Sequence, residues 1–395
     1  MGGVEIMMYY LATIWDMSLP GVGKKISSQI DALNKLGIPA KLYVFKGSEE
    51  VVDIPNLPTN FEIVNFKQAS GTSIISKILT ESRRYRMVRG MISSFGPDDI
   101  AYVRYINLRH IPRVKRCRVV VEHQTMESVQ FGLGKSFRNR LSLMIEKLLG
   151  RYYRKGADGR VAVTEEILRY ETERAGKSIP SIVIPNGIDV SSVGQRSSIP
   201  SDEPIFRIIG LANIAPWHGY DRIIKGISEY RGHRRIEFTV AGNANTDFTL
   251  RDLCRDLGVG DKVIFLGEVD HQMFKDLVAK SDLAVGTLAP HRTGLTEISS
   301  LKHREYCAIG IPFIYSGLDP DFPADFPYAI HVDATSSIDL EEVMGKVAAL
   351  GMDEGQAANM RHFAEENLDW SVKMKRLAEW IDKEFPGRCR DGRST

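Results

Sequence analysis

Residues 296–316 read TEISSLKHREYCAIGIPFIYS, a polar loop, then a short helix, then an apolar strand. Ser299 or Ser300 can cap the helix Leu301–Ile309, because a hydroxyl oxygen accepts from a first-turn amide. Gly310 can end that helix in a left-handed conformation, and Pro312 opens the strand Pro312–Ser316. The apolar run Leu283–Thr287 lies just upstream, so the stretch completes a strand–helix–strand unit. Strands joined in this way pair in parallel and are covered on both faces. Runs that are apolar throughout fit that two-sided burial.

The same alternation extends outward in both directions. Upstream, strands are expected at Glu5–Ala12, Lys41–Phe45, Phe61–Phe66, Ile100–Tyr105, Val119–His123, Arg160–Thr164 and Ile182–Pro185. Helices are expected at Val22–Leu36, Ile74–Met91, Phe137–Tyr153 and Glu165–Arg174. The run Ser191–Glu203 is rich in Ser, Pro and charge and reads as a linker. Beyond it, strands are expected at Ile205–Leu211, Ile236–Ala241, Lys262–Leu266 and Tyr328–Val332, besides the two already named. Helices fall at Tyr220–Tyr230, Thr249–Leu257, Gln272–Lys280 and Leu340–Ala349. A last helix, Val372–Phe385, follows Trp370.

The expected fold is α/β: two Rossmann-like parallel-sheet domains facing across a cleft. The first spans 1–192 and the second 204–369, with a linker at 193–203. Residues 370–395 form a C-terminal helix packing back on the first domain. Ligands of such sheets bind outside the carboxyl ends of the strands, so the cleft is the expected site.

A length of 395 residues with 43% hydrophobic and 26% charged residues suits two globular domains and excludes a disordered or fibrous chain. The four cysteines lack Cys-x-x-Cys spacing, which excludes a zinc knuckle and fits reduced thiols in a cytoplasmic protein. No apolar run reaches the roughly 18 residues of a membrane span, and no secretory signal is expected. The net charge of +2 hides an asymmetry. Residues 1–200 hold 29 Lys/Arg against 19 Asp/Glu, and residues 201–395 hold 23 against 31. A basic first half suits an anionic partner, and it also fits an ordinary solvated surface.

Two segments carry candidate chemistry. Pro20-Gly21-Val22-Gly23-Lys24-Lys25 sits between a strand and a helix, where backbone amides can approach a phosphate. Ser18 and Lys25 break the phosphate-loop pattern, and Ser27 breaks the dinucleotide fingerprint. A plain tight turn fits the residues as well. The second segment places Glu297 just ahead of the helix Leu301–Ile309 and Glu305 inside it. The helix start offers amides and partial positive charge, and Lys302 and Arg304 add full charges. A diphosphate fits there, with the two carboxylates accepting from sugar hydroxyls. An exposed helix with a Lys302–Glu305 pair fits the same residues.

Taken in order, these features resemble the retaining glycosyltransferases of the two-Rossmann-domain GT-B fold commonly called family 4. That family carries a Glu-x7-Glu motif followed by Gly-x-Pro, matched here by Glu297…Glu305 and Gly310-Ile311-Pro312. The Gly-Val-Gly turn, Val121-Glu122-His123, Ile184-Pro-Asn-Gly-Ile-Asp189, Val240-Ala-Gly242 and Phe265-Leu-Gly-Glu-Val269 follow the family order over nearly the whole chain. The resemblance implies that Glu305 binds the donor ribose and Glu297 the donor sugar. It implies that His123 stands at the reaction centre and that Gly21 or Gly23 approaches the donor phosphates.

One departure matters. The family clamps the diphosphate with an Arg and, five residues on, a Lys at the start of its second domain. Here Asn213 and His218 stand in those positions. Lys302 and Arg304 are expected to restore the missing charge. The Trp217-His218-Gly219 variant resembles the branch that builds bacterial surface polysaccharides.

The implied reaction moves a sugar from a nucleoside-diphosphate sugar to a glycan acceptor, which the analogy makes lipid-linked. The same face of the sugar is kept, by front-face displacement. No cofactor or metal is expected. No nucleic acid is expected as a partner. The basic residues Arg109, Arg113, Lys115, Arg116 and Arg118, with the Lys135–Lys155 helix, suit an anionic membrane face, so a peripheral cytoplasmic location is expected. The same helix also fits packing on the sheet with its basic face in water. Two rivals remain at this stage: a nucleotide-sugar epimerase of the same fold, and a non-catalytic sugar- or nucleotide-binding relative.

Overall fold

The computed structural model describes residues 7–386 apart from 49, 51–53, 55, 72, 105–115, 127, 130–131, 133–136, 197–204, 243–246 and 352–353. The chain divides into two compact units, Met1–Gly187 with Trp370–Thr395, and Ile188–Asp369.

Strands of the first unit are β1 (Met8–Thr13), β2 (Ala40–Gly47), β3 (Phe61–Phe66), β4 (Ile100–Arg104), β5 (Arg118–His123), β6 (Gly159–Ala162) and β7 (Ser181–Val183). Its helices up to Gly187 are α1 (Ile14–Ser18), α2 (Pro20–Lys35), α3 (Ile74–Ser94), α4 (Phe137–Arg154) and α5 (Glu165–Ala175). Among the described residues the strands form one parallel sheet in the order β3-β2-β1-β4-β5-β6-β7. Apolar residues at helical spacing explain how it is covered. Ile26, Ile30 and Leu33 of α2 share a buried cluster with Tyr10, Ala12, Leu42 and Val44. Val88 and Ile92 of α3 share another with Leu11, Phe45, Val103 and Val121. Tyr10, Leu11 and Ala12 thus alternate between two buried faces, as a central strand must.

The second unit holds β8 (Ile205–Leu211), β9 (Arg235–Ala241), β10 (Val263–Gly267), β11 (Leu283–Val285), β12 (Phe313–Tyr315) and β13 (Ala329–His331). Its helices are α6 (Tyr220–Glu229), α7 (Asp247–Asp256), α8 (His271–Ala279), α9 (Leu301–Ile309), α10 (Leu340–Ala349) and α11 (Glu354–Phe363), with a π turn at Ala364–Leu368. Its strands are parallel too, in the order β10-β9-β8-β11-β12-β13. Gly242 closes β9 at φ 120°, where a Cβ would lie 1.9 Å from the Ala212 carbonyl oxygen. Only glycine allows that approach between the carboxyl ends of β8 and β9.

In each unit the strand order reverses beside its first strand, between β1 and β4 and between β8 and β11. The carboxyl ends at such a reversal diverge and leave room for a ligand.

The last helix, α12 (Trp370–Glu384), belongs to the first unit: Trp370, Met374, Leu377, Trp380 and Ile381 join the α2 cluster. The chain enters the second unit between Gly187 and Ile188, ahead of the expected linker. Val193 is buried in a second-unit cluster, and Arg196 donates from its backbone amide to the Ile309 carbonyl and from its side chain to the Ser281 carbonyl. The start of the expected linker is therefore part of the second unit, and residues 197–203 lie outside the described residues.

Candidate active site

The second unit gathers most of the expected residues at its β8/β11 reversal. After β8 the chain carries exposed Asn213 into a 3₁₀ turn, Pro216–His218, closed by Gly219 at φ 68°. A Cβ on Gly219 would lie 2.8 Å from Leu288 Cβ, so the turn packs flush against the loop that follows β11. The amides of Leu288 and Ala289 donate to the carbonyls of His218 (3.2 Å) and Trp217 (3.0 Å). Arg292 donates to the Pro216 carbonyl (2.8 Å) and forks onto Asp221 at 2.7 and 2.8 Å. The His218 loop is thus fastened to its neighbour by backbone and ion pair together.

That fastening determines the chemistry of His218. The Ala215 amide donates to His218 Nδ1 at 3.0 Å. An amide can only donate, so Nδ1 carries no proton and Nε2 is the N–H. Burial and nearby Lys302 hold the imidazole pKa down to about 2. His218 is a neutral donor at the place where a lysine was expected to be needed.

Lys302 supplies a cation. It lies in the first turn of α9, and its ammonium donates to the Gly286 carbonyl at 3.0 Å and stands 5.6 Å from the centre of the Tyr220 ring. Burial holds it down to about 7. Leu301, Lys302 and Glu305 are the partly exposed residues of α9, and the other six are buried. The spacing of three between Lys302 and Glu305 puts them on one side of the helix. Ser300 is the residue before the helix, as expected, but its side chain makes no capping hydrogen bond. Glu297 is held by backbone: the Leu318 amide donates to the Thr296 carbonyl (2.9 Å), and the Ile298 amide to the Leu318 carbonyl (2.8 Å).

Arg304 does not join this set. Its side chain is fully buried and forks onto Asp319 at 2.5 and 2.6 Å, with Asp321 a further 2.6 Å partner. Burial opposes its charge, the two carboxylates outweigh burial, and its pKa rises. A guanidinium so enclosed is not presented to a diphosphate. Neighbouring His303 is equally buried: its Nε2 accepts from the Thr287 amide (3.1 Å), and its Nδ1 lies 2.9 Å from Asp319.

In the first unit the expectations fare differently. Gly21 and Gly23 lie in the first turn of α2, which begins at Pro20. Gly21 is exposed, whereas a Cβ on Gly23 would meet the Met17 carbonyl oxygen at 2.5 Å. Gly23 thus serves the close packing of α1 on α2. His123 is not an open strand end. It is 2% exposed, its Nδ1 lies 3.2 Å from Glu171, and Arg154 grips that carboxylate at 2.6 and 2.9 Å. Burial, with Arg154 and Arg160 opposing Glu171, holds the imidazole down to about 4. His123 is a neutral interior residue at the carboxyl end of β5.

Sequence reasoning missed the polar cluster around Glu122. Lys25 lies 3.1 Å from it and donates to Asn186 (2.8 Å), Tyr10 donates to it at 3.1 Å, and Gln29 at 3.3 Å. Burial holds Lys25 down to about 8 despite Glu122. At the β1/β4 reversal, Asp16 caps α1 together with Thr13 and pairs with Arg104. Tyr10, Lys25 and Gln29 lie far from Glu122 in sequence, and no local pattern connects them to it.

A pH dependence follows from Lys302. Below about pH 7 it is charged, and a bound anion favours that form; above it the charge is lost. Nucleoside-diphosphate affinity is expected to weaken about tenfold between about pH 6 and about pH 9. The unliganded fold gains stability over part of the same window, because the unfolded lysine holds its proton longer. Calorimetric titration of wild type beside Lys302→Met, which keeps only the ligand's own titration, measures the difference.

Residues 194–322 match the family model described as "Glycosyl transferases group 1", a stretch that includes Asn213, His218, Glu297, Lys302 and Glu305. No curated protein matches the chain. Among solved structures it is similar to sucrose-phosphate synthase from Thermosynechococcus elongatus (TM-score 0.68, 14% identity, 96% of this chain and 99% of that one). It is similar to the lipopolysaccharide outer core galactosyltransferase WaaB (0.64, 13%, 96% and 100%). It is also similar to Anabaena HepE in complex with UDP and glucose (0.60, 14%, 96% and 100%). At such identities the likeness shows the fold, which is GT-B. The second unit therefore carries a glycosyl transferases group 1 domain on a GT-B fold, and these findings support a glycosyltransferase enzyme.

Proposed function

We propose that this chain is a retaining glycosyltransferase that takes a sugar from a nucleoside-diphosphate donor and adds it to a lipid-linked glycan during cell-surface polysaccharide synthesis. The observation that carries the reading is the proximity of His218 and Lys302 at the β8/β11 reversal, with Glu305 three residues on in α9, inside the segment matching the group 1 model. The HepE structure in complex with UDP and glucose supports this donor class, and the likeness to WaaB, a lipopolysaccharide outer core galactosyltransferase, supports a surface-glycan acceptor.

In this reading the Nε2–H of His218, the Lys302 ammonium and the exposed amide of Asn213 meet the diphosphate. Charge develops there as the bond from the anomeric carbon to the phosphate oxygen breaks, and preorganised donors lower the barrier. Glu305 accepts from the ribose and Glu297 from the donor sugar. The acceptor oxygen attacks the anomeric carbon on the face the phosphate leaves. His123 is enclosed, so the acceptor proton goes to the departing phosphate oxygen. Incubation with UDP-, GDP- and ADP-sugars and a glycolipid extract tests the proposal. A glycosylated lipid with the donor's anomeric configuration supports it. An inverted linkage, or an epimerised donor sugar with no transfer, contradicts it.

The membrane reading rests on α4, which turns polar groups inward. Glu146 and Arg154 are buried and paired at 2.5 Å. Met144, Leu148, Leu149 and Tyr152 are exposed, Leu148 by 72%, among exposed Arg140, Lys147, Arg151 and Lys155. An outward apolar stripe flanked by cations suits an anionic bilayer face. Arg116 and Arg118 are exposed as well, and Arg109, Arg113 and Lys115 lie outside the described residues. Among the described residues no helix is long and apolar enough to cross a membrane. Flotation with anionic vesicles at low salt is expected to carry the protein, and Leu148→Glu is expected to prevent it.

A further inference from the structure

The enclosed carboxylate of Asp319 is not used by the chemistry above, and its partners are unusual for a loop residue. It receives both Nη groups of Arg304 at 2.5 and 2.6 Å. The Asp321 amide adds a donor at 3.3 Å. The proton on His303 can be placed: the Thr287 amide donates to Nε2 (3.1 Å), so the neutral ring carries its hydrogen on Nδ1 and donates it to Asp319 at 2.9 Å. Burial holds His303 down to about 4, which keeps the ring neutral at physiological pH.

One carboxylate thus joins three segments. Arg304 and His303 belong to the start of α9, and Arg304 also donates to the Ser300 carbonyl at 3.1 Å. Thr287 follows β11 and accepts from the Ser316 amide at 2.8 Å. Asp319 itself follows β12, one residue after Leu318, whose backbone holds Glu297 through the two hydrogen bonds described. Gly317 turns the chain there at φ 85°, and a Cβ on it would lie 2.8 Å from the Thr296 carbonyl oxygen. The Glu297 segment therefore has a neighbour that cannot shift without opening the Asp319 centre.

Buried ion pairs contribute little net stability compared with apolar packing, but they require one geometry. We infer that Asp319 is a positioning residue: through Leu318 it sets where the Glu297 carboxylate stands relative to Lys302 and Glu305 on α9. The inference deepens the proposed function and rests on it for the role of Glu297.

Two readouts test it, one needing no ligand. In Asp319→Asn, amide exchange at Ile298 and Leu318 is expected to quicken at least about tenfold beyond any change in β8 and β9. Arg304→Lys, which keeps the charge but loses the fork, is expected to do the same more mildly and serves if Asp319→Asn does not fold. Exchange that is unchanged at Ile298 and Leu318, or that rises equally throughout the second unit, overturns the inference. For the second readout, UDP and UDP-glucose affinities are measured in wild type, Asp319→Asn, Glu297→Gln and the double variant. UDP affinity is expected to hold within about threefold, while the gain from the sugar shrinks about tenfold in each single variant and no further in the double. A purely structural role predicts equal losses for both ligands, or additive losses, and overturns the inference. Wild type binding neither ligand overturns the donor-site reading, and the exchange experiment then decides alone whether Asp319 holds the loop.

Discussion

Arg304→Ala is expected to cost the second unit about 3–5 kcal/mol, a large share of an ordinary stability of about 5–15 kcal/mol. The size follows from what remains behind. Asp319 keeps its enclosed position but loses its two shortest donors, and Asp321 loses its 2.6 Å partner. Two carboxylates near one another with no cation must take up a proton or admit water, and either step opens the loop after β12. Arg304→Lys is expected to lose less, because it retains the charge. The acid limb adds a check. Arg304 holds Asp319 below the ordinary carboxylate range against the effect of burial. Its contribution is therefore full above about pH 4 and lost as the pH falls through the folded value. Denaturant unfolding at about pH 7 and about pH 3 measures both effects. An Arg304→Ala protein as stable as wild type would contradict the enclosed pairing.

Glu305→Ala is expected to weaken nucleoside-diphosphate binding about 10- to 100-fold with little change in stability. Glu305 is partly exposed on α9, beside Lys302 and away from the buried Arg304 face. Hydrogen bonds from ribose hydroxyls to a carboxylate contribute about 1.5–3 kcal/mol, which is the range given. Glu305→Gln keeps the acceptor oxygen but not the charge and is expected to fall between. Calorimetric titration separates the three proteins.

Much of the architecture could be read from apolar runs. Phe61–Phe66, Ile205–Leu211, Leu301–Ile309 and Leu340–Ala349 begin and end where expected, because both faces of the strands and one face of each helix had to be covered. Helix α11 was not anticipated. Its buried apolar residues, Ala357 and Met360, are few, and alanine gives a weak hydrophobic signal. Ser191–Glu203 looked like a linker by composition, yet Val193 and Arg196 are buried by partners far away in sequence.

The site divides in the same way. Glu297, Lys302 and Glu305 could be singled out because their spacing around one helix start is local. Arg304 looked equally available, since arginines are usually exposed. Its burial depends on Asp319, fifteen residues on and past a strand, which no pattern along the chain connects to it. His123 takes its expected role from the family resemblance, and the partner beside it, Glu171, lies on α5. The neutral state of His218 comes from the Ala215 amide, a backbone group that any residue at that position carries.

The most direct test of the donor site is thermal unfolding of wild type and Glu305→Ala with UDP, GDP, ADP, TDP and CMP, each with and without magnesium. A ligand at about 100 times its dissociation constant adds about 2.7 kcal/mol to the state it binds. The account predicts that at least one diphosphate raises the transition of wild type, that CMP does not, and that the shift is the same without magnesium and falls to about half or less in Glu305→Ala. No shift with any nucleotide, or an equal shift in Glu305→Ala, would contradict it.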